Sequence, residues 1–392
     1  MSIFLSTIQS ISAIVFSSFF ILIFADFLIK KLLTIKYFKS KEFSILDGTL
    51  LDSKPVIPDS YKGDGEEWYL EYALEAKNIF NSIRWRPYTY WSSAQYNGKY
   101  INIGSKGWRK TTIVNAEHSN KNVITIYMLG GSTLWGWGAR DDYTIPSYIA
   151  KQLYEQHNVV ARVVNLGELG YVSTQNMILL IRELQRGAKP DLVVSYEGLN
   201  DSFVSYQLKR PGMTQNEPNR EFEFNLKLFD HFKKVLKEKS GFCQLCKKFF
   251  KPRVNTKSLI KSNGDSRISQ NTVDLYFNNL KIMYAVGLEF GYQLLAYWQP
   301  VIFDKITLSK SEQNMKKSQE FWSDFYSKIK RSLENKVPPK YFKNLSGFFA
   351  DYNESAFIDP WHVDENANRK IAAIITEDIV KKINIRENIS TI

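Results

Sequence analysis

The sequence predicts an α/β protein built on a parallel, doubly wound sheet, and three observations predict it. Short apolar runs rich in β-branched residues recur along the chain, several end in turns that carry glycine, and stretches of helical periodicity separate them. Strands that alternate with helices of this length form βαβ units, and such units make a parallel sheet with helices on both faces. In sheets of this kind, sites lie at the carboxyl ends of the strands.

The periodic part opens with an apolar run over Val123–Leu129, followed by Gly130-Gly131-Ser132-Thr133 and a helical pattern from Pro146 to Gln156. That order reads as strand, tight turn, helix. A strand at Val159–Asn165 and a helix at Thr174–Arg186 follow, with Ser173 or Thr174 expected as the helix cap. After Lys189-Pro190-Asp191 comes a strand at Leu192–Tyr196. Then come a helix at Val273–Phe290, a strand at Gln293–Trp298, a polar helix at Ser311–Leu333 and a last helix at Glu365–Lys382. There is no internal repeat and no low-complexity tract.

Composition supports a folded chain. Of 392 residues, 44% are hydrophobic, with 26 Phe, 22 Tyr and 9 Trp, enough apolar volume for a large core. The formal charge of +12 is concentrated: Lys209 to Lys261 hold 14 Lys/Arg against 5 Asp/Glu. This marks a basic insertion at 205–265, read as a solvated segment or as a face toward anionic lipid or an acidic glycan. Nucleic acid is not expected as a partner, because no recognised binding motif accompanies the charge. Cys243 and Cys246 form a lone C-x-x-C with no second pair, which excludes a four-ligand zinc site from cysteines alone. No strand-to-helix setting supports a thioredoxin-like role either, so an incidental pair or a local disulfide is expected.

Ile3 to Ala25 runs 23 residues without a charge, long enough at helical rise to cross a bilayer core. The chain therefore divides into a transmembrane anchor at 1–29, a linker and irregular N-terminal subregion at 30–120, and the periodic α/β domain at 121–392. Lys30, Lys31, Lys36, Lys39 and Lys41 all follow the span, which by the positive-inside rule points the body toward the cytoplasm.

Four segments carry candidate chemistry. In Gly130-Gly131-Ser132-Thr133, paired glycines allow a sharp turn that lifts the Ser132 hydroxyl to the sheet edge. In the segment Asn165 to Tyr171, Gly170 lets a backbone N–H come close to a bound oxygen. Asn200 in Gly198-Leu199-Asn200-Asp201 places an amide just past a strand, where it can donate to an oxyanion. Asp359-Pro360-Trp361-His362 puts a carboxylate and an imidazole three residues apart, so one short turn can hold Asp359 on Nδ1 and aim Nε2 outward. Each segment alone is ordinary turn chemistry. The other histidines, His118, His157 and His231, lack this setting.

Taken in order as Ser, Gly, Asn and Asp-x-x-His, the four segments resemble the blocks of the SGNH hydrolases, the GDSL-like superfamily. The resemblance covers residues 121 to 385. It implies a flavodoxin-like three-layer fold, Ser132 as nucleophile, Asp359 and His362 completing a triad, and an oxyanion hole from Ser132, Gly170 and Asn200. Block I departs from the usual Gly-Asp-Ser, having Gly131 at the Asp position. The stretch from Gly130 through Trp135 and Trp137 to Pro146 is similar to a membrane-anchored bacterial subgroup linked to surface polysaccharides. That likeness implies an extracytoplasmic body, against the lysine count.

The implied function is a serine esterase acting on O-acyl groups, with O-acetyl the first candidate and an acylated small molecule or glycan as substrate. The chemistry needs no metal and no cofactor. Two alternatives stand beside it: a polysaccharide O-acetyltransferase using the same residues, and an inactive glycan-binding or scaffold module at the membrane.

Overall fold

The computed structural model describes residues 57–62, 66–114, 123–215 and 262–390, with positions 21, 24, 25 and 217. One compact unit comprises 49–215 and 259–392; a second comprises 1–48 and 216–258. The expected membrane span, the linker up to residue 56, Cys243, Cys246 and the basic insertion from 218 to 261 lie outside the described residues, apart from Ile21, Phe24 and Ala25. Among the described residues no helix is long and apolar enough to cross a membrane.

The chain before the sheet is more regular than expected. Helix α1 spans Glu66–Asn81, hairpin β1–β2 pairs Arg84–Arg86 with Tyr90–Ser92, and a second hairpin pairs β3, Tyr96–Asn97, with β4, Asn102–Ile103. The helix buries Tyr69, Tyr72, Ala73, Ala76 and Ile79, spaced so that they share one face. These residues belong to the same compact unit as the sheet.

The main sheet has five parallel strands: β5 (Ile124–Gly130), β6 (Ala161–Asn165), β7 (Leu192–Glu197), β8 (Gln293–Trp298) and β9 (Phe342–Asn344). Their order is β6-β5-β7-β8-β9. Counted within the sheet this is 2-1-3-4-5, the doubly wound order of flavodoxin-like folds, which reverses direction between β5 and β7. β7 is buried along its whole length, Ser195 and Glu197 included, which is why it opens on the apolar run Leu192–Val194 and shows no apolar-polar alternation there.

Side chains alternate between two helical layers. Ile126, Met128, Val163, Val194, Leu295 and Tyr297 pack with α3 (Ile145–His157) and α9 (Glu365–Ser390), which contributes Ile371, Ile375 and Ile379. The opposite face carries α4 (Ser173–Gln185), α5 (Leu199–Leu208), α6 (Ser262–Phe290) and α8 (Glu320–Glu334). Each fully buried aliphatic side chain contributes about 1.5–3 kcal/mol, so the two layers hold the sheet and fix its carboxyl edge.

Three details differ from the sequence reading. The polar helix expected over 311–333 is two helices, α7 (Lys310–Ser318) and α8, meeting at Gln319. Strand β9 and helix α5 were not foreseen. Neither Ser173 nor Thr174 caps α4: Val172 is the cap residue, and the Ser173 hydroxyl donates to Asp201 at 2.5 Å. A buried carboxylate at the helix start does the work expected of a capping hydroxyl.

Candidate active site

Ser132 begins a single-turn helix, α2 (Ser132–Trp135), directly after β5. The turn is closed by Trp135 N–H donating to Gly131 O at 2.9 Å and by Gly136 in the left-handed region, φ 98°. The result is a strand-to-helix elbow at the point where the strand order reverses. It places the hydroxyl at the carboxyl edge.

The imidazole arrives from the other end of the chain. Asp359 Oδ1 accepts the backbone N–H groups of Trp361 and His362, each at 2.8 Å, which leaves Oδ2 for His362 Nδ1 at 2.7 Å. The loop is fastened by Ile358 N–H donating to His362 O at 3.0 Å and by a bridge between Phe357 and Val363. His362 Nε2 then stands 2.7 Å from Ser132 Oγ. With the Nδ1 proton shared with Asp359, Nε2 is the acceptor for the Ser132 hydroxyl proton. The pair is well enclosed, Ser132 being 4% and His362 2% exposed.

The remaining two segments close on the same turn. Asn200, on the first turn of α5, donates its amide to Tyr171 O at 2.8 Å, one residue past Gly170. A Cβ placed on Gly131 would lie 2.5 Å from Asn200 Nδ2, closer than real contacts allow. This accounts for the glycine where the related pattern has Asp: here the space belongs to the Asn200 amide. Gly170 has φ 73°, a conformation that strains any residue with a Cβ, and the end of the Gln215 side chain lies against it. Ser132, Asn200, Asp359 and His362 are thus gathered at one place, with Gly170 adjoining. His157, by contrast, sits at the far end of α3 beside Glu377.

Several supports were not foreseen. Arg109, fully buried, donates to the carbonyls of Gly136 and Ala139, each at 2.6 Å, and of Trp135 at 3.2 Å, and pairs with Asp141 at 2.8 Å. It holds the turn that follows Ser132. Tyr72 accepts Gly138 N–H at 2.7 Å. Trp91 Nε1 donates to Leu169 O at 2.7 Å, and buried Glu168 accepts Ser93 N–H and the Ser93 hydroxyl, each at 2.7 Å. The segment before the sheet therefore braces both the Ser132 turn and the Gly170 loop.

Beneath Asn200 lies a buried acidic network. Glu197, ending β7, accepts from the Ser195 hydroxyl and the Asn176 amide, while Asp201 accepts Ser173 N–H at 3.0 Å as well as its hydroxyl. Burial first, and the Asp201 charge second, push Glu197 up to about 8. Burial likewise raises Asp201 to about 6, with the Ser173 bonds pulling the other way. A carboxylate closing an otherwise apolar strand was the signal available for Glu197. Among the described residues no His, Cys, Asp and Glu cluster suited to a metal occurs.

The sheet order is that of a flavodoxin-like doubly wound fold, and the four segments lie together at its carboxyl edge, as the resemblance noted in the sequence implied. No protein-family model matches the chain, and no curated protein matches it. Solved structures similar to it include the acetyl xylan esterase AlAXEase, at 13% identity over 65% of this chain and 100% of that one, TM-score 0.36. A lipase from a goat rumen metagenome matches at 12% identity over 64% of this chain and 97% of its own, TM-score 0.40. A GDSL-like lipase from Bacteroides thetaiotaomicron matches at 14% identity over 66% of this chain and 88% of its own, TM-score 0.31.

Proposed function

We propose that this protein is a serine esterase that cleaves O-acyl groups, first of all O-acetyl groups, through an acyl-enzyme on Ser132. The observation that carries the reading is the hydrogen-bonded line from Ser132 Oγ through His362 to Asp359, with both links at 2.7 Å. His362 takes the hydroxyl proton as the oxygen attacks the ester carbonyl; the same proton then goes to the departing alcohol, and water repeats the sequence to release the acid. Asp359 keeps the imidazole in the tautomer that accepts at Nε2. The developing oxyanion is met by the N–H groups of Ser132 and Gly170 and by the Asn200 amide, each donor typically worth ~10²–10³ in rate.

A second reading, transfer of the acyl group to a sugar hydroxyl, is favoured by the enclosure of Ser132 and His362, since a site that excludes water lets a bound acceptor compete. The partition between acetate and acetylated acceptor sugar separates the two. The natural ester is taken to belong to a surface glycan, with the body outside the cytoplasm on a membrane anchor at 1–29. A phosphatase fused to the C-terminus is active only in that orientation.

The deciding experiment is labelling with a fluorophosphonate probe, with acetate release from an aryl acetate measured alongside. Labelling and turnover are expected in the wild type and are expected to vanish in Ser132→Ala. Persistent labelling of that variant removes Ser132 from its role. A wild type that neither labels nor turns over favours an inactive binding module.

A further inference from the structure

One polar side chain beside the nucleophile is only half used. Gln299 follows β8 at the carboxyl edge, is 3% exposed, and is anchored by its backbone N–H, which donates to Glu197 O at 3.1 Å. Its Oε1 accepts the hydroxyl of Thr133, the residue next to Ser132, at 3.1 Å. Its Nε2 is buried and has no hydrogen-bond partner. Turning the amide over would satisfy the nitrogen through Thr133 and strand the oxygen instead, so one polar atom stays unmatched in either setting. A buried unmatched amide costs about 1–3 kcal/mol, and a fold retains that cost where a ligand repays it.

The position says which part of a ligand. Along the carboxyl edge, Gly170 follows β6, Ser132 follows β5, Asn200 follows β7 and Gln299 follows β8. The oxyanion donors thus lie at Ser132 and toward β6 and β7, with Gln299 one strand beyond Asn200. The loop after Gln299 also touches the histidine loop, Ile302 N–H donating to Pro360 O at 3.5 Å. Gln299 therefore stands on the side from which His362 hands its proton to the departing alcohol.

We propose that Gln299 is a specificity residue whose carboxamide binds a hydroxyl next to the esterified oxygen, making monoacylated vicinal diols, of which sugar esters are the common kind, the preferred substrates. A hydroxyl suits the site because it both donates and accepts, and so serves either setting of the amide. This rests on the esterase reading above and names the leaving group it takes. An ester lacking that hydroxyl leaves the amide unmatched in the complex, the situation in which polar pockets discriminate most strongly.

The test compares 2-hydroxyethyl acetate with propyl acetate, two esters of similar size that differ in the vicinal hydroxyl. The wild type is expected to favour the hydroxyl ester by about tenfold in kcat/KM, the worth of one hydrogen bond to a buried group. Gln299→Met, close in volume, should bring that ratio near one. Gln299→Leu, which likewise offers the substrate hydroxyl no polar partner, should lower the ratio as well and covers the case in which the Met variant fails to fold. A wild-type ratio near one, or variants that lose both esters equally, overturns the assignment, because support of Thr133 alone does not discriminate between them. Fluorophosphonate labelling separates the failures: a labelled wild type with a flat ratio ends only the Gln299 proposal, while an unlabelled wild type ends the esterase reading and this one with it.

Discussion

Replacing Glu197 by Gln should stabilise the protein selectively at alkaline pH. Glu197 is fully buried under the Asn200 turn and is raised from 4.5 to about 8, so the folded chain binds a proton that the unfolded chain releases above 4.5. A raised acid contributes stability in its protonated form, and that contribution declines as pH climbs from 4.5 toward 8. Asp201 adds a loss of the same sign, complete by about 6, which is where its own value lies. Between pH 6 and 8 the Glu197 contribution is therefore the cleaner of the two, and linkage gives it roughly 2 kcal/mol at about 1.4 kcal/mol per unit. Gln cannot ionise and has nearly the same shape, so the variant lacks this slope. The measurement is the melting temperature of both proteins at pH 6 and pH 8. Relative to wild type, Glu197→Gln should gain about 2–3 °C over that interval. Parallel profiles would show that Glu197 is already ionised in the fold, and the argument from burial would fall.

Three further outcomes follow from the site. Asp359→Asn should cut turnover of an aryl acetate by ~10³–10⁴-fold, because an amide facing Nδ1 moves the imidazole proton to Nε2 and removes the base; a loss under about tenfold would refute the triad role. Gly131→Ala puts a methyl where it would be 2.5 Å from the Asn200 amide, so kcat should drop by about 10²-fold with KM little changed, and a variant with full kcat would disconnect Asn200 from the reaction. Arg109→Met strands Asp141 and three carbonyls of the turn after Ser132, with an expected loss of roughly 3–5 kcal/mol read as a melting temperature lower by about 5 °C. An unchanged melting temperature would mean that water replaces the guanidinium at little cost.

Much of this arrangement was legible in the sequence because it depends on local signals. Central parallel strands are buried on both faces, so they stand out as apolar runs, and Gln293–Trp298 was placed to the residue. Each site segment sits where a strand ends or a helix begins, and the doubly wound rule says to look there. Helix α1 escaped notice because its inward face is mostly Tyr and Ala, with Ile79 its one buried branched aliphatic residue, within a stretch thick with charged residues. Strand β9 has three residues, two of them exposed, too little for any period to show. Arg109 was invisible for a different reason: apart from Asp141, its partners are backbone carbonyls 26 to 30 positions away, and no residue type advertises a carbonyl. Gln299 escaped because a Gln after a strand is ordinary until its unmatched nitrogen is located.

The bracing of the nucleophile turn by Arg109 and Tyr72 has a consequence for how competence is acquired. The sheet strands lie between residues 124 and 344, yet the peptide groups just past Ser132 are held by side chains lying earlier in the chain. Reactivity is then a readout of docking as well as of folding. A protein whose early segment has come away would keep its far-ultraviolet signature of mixed helix and strand while losing the capacity to be acylated, and probe labelling alongside circular dichroism during unfolding would expose the gap between the two.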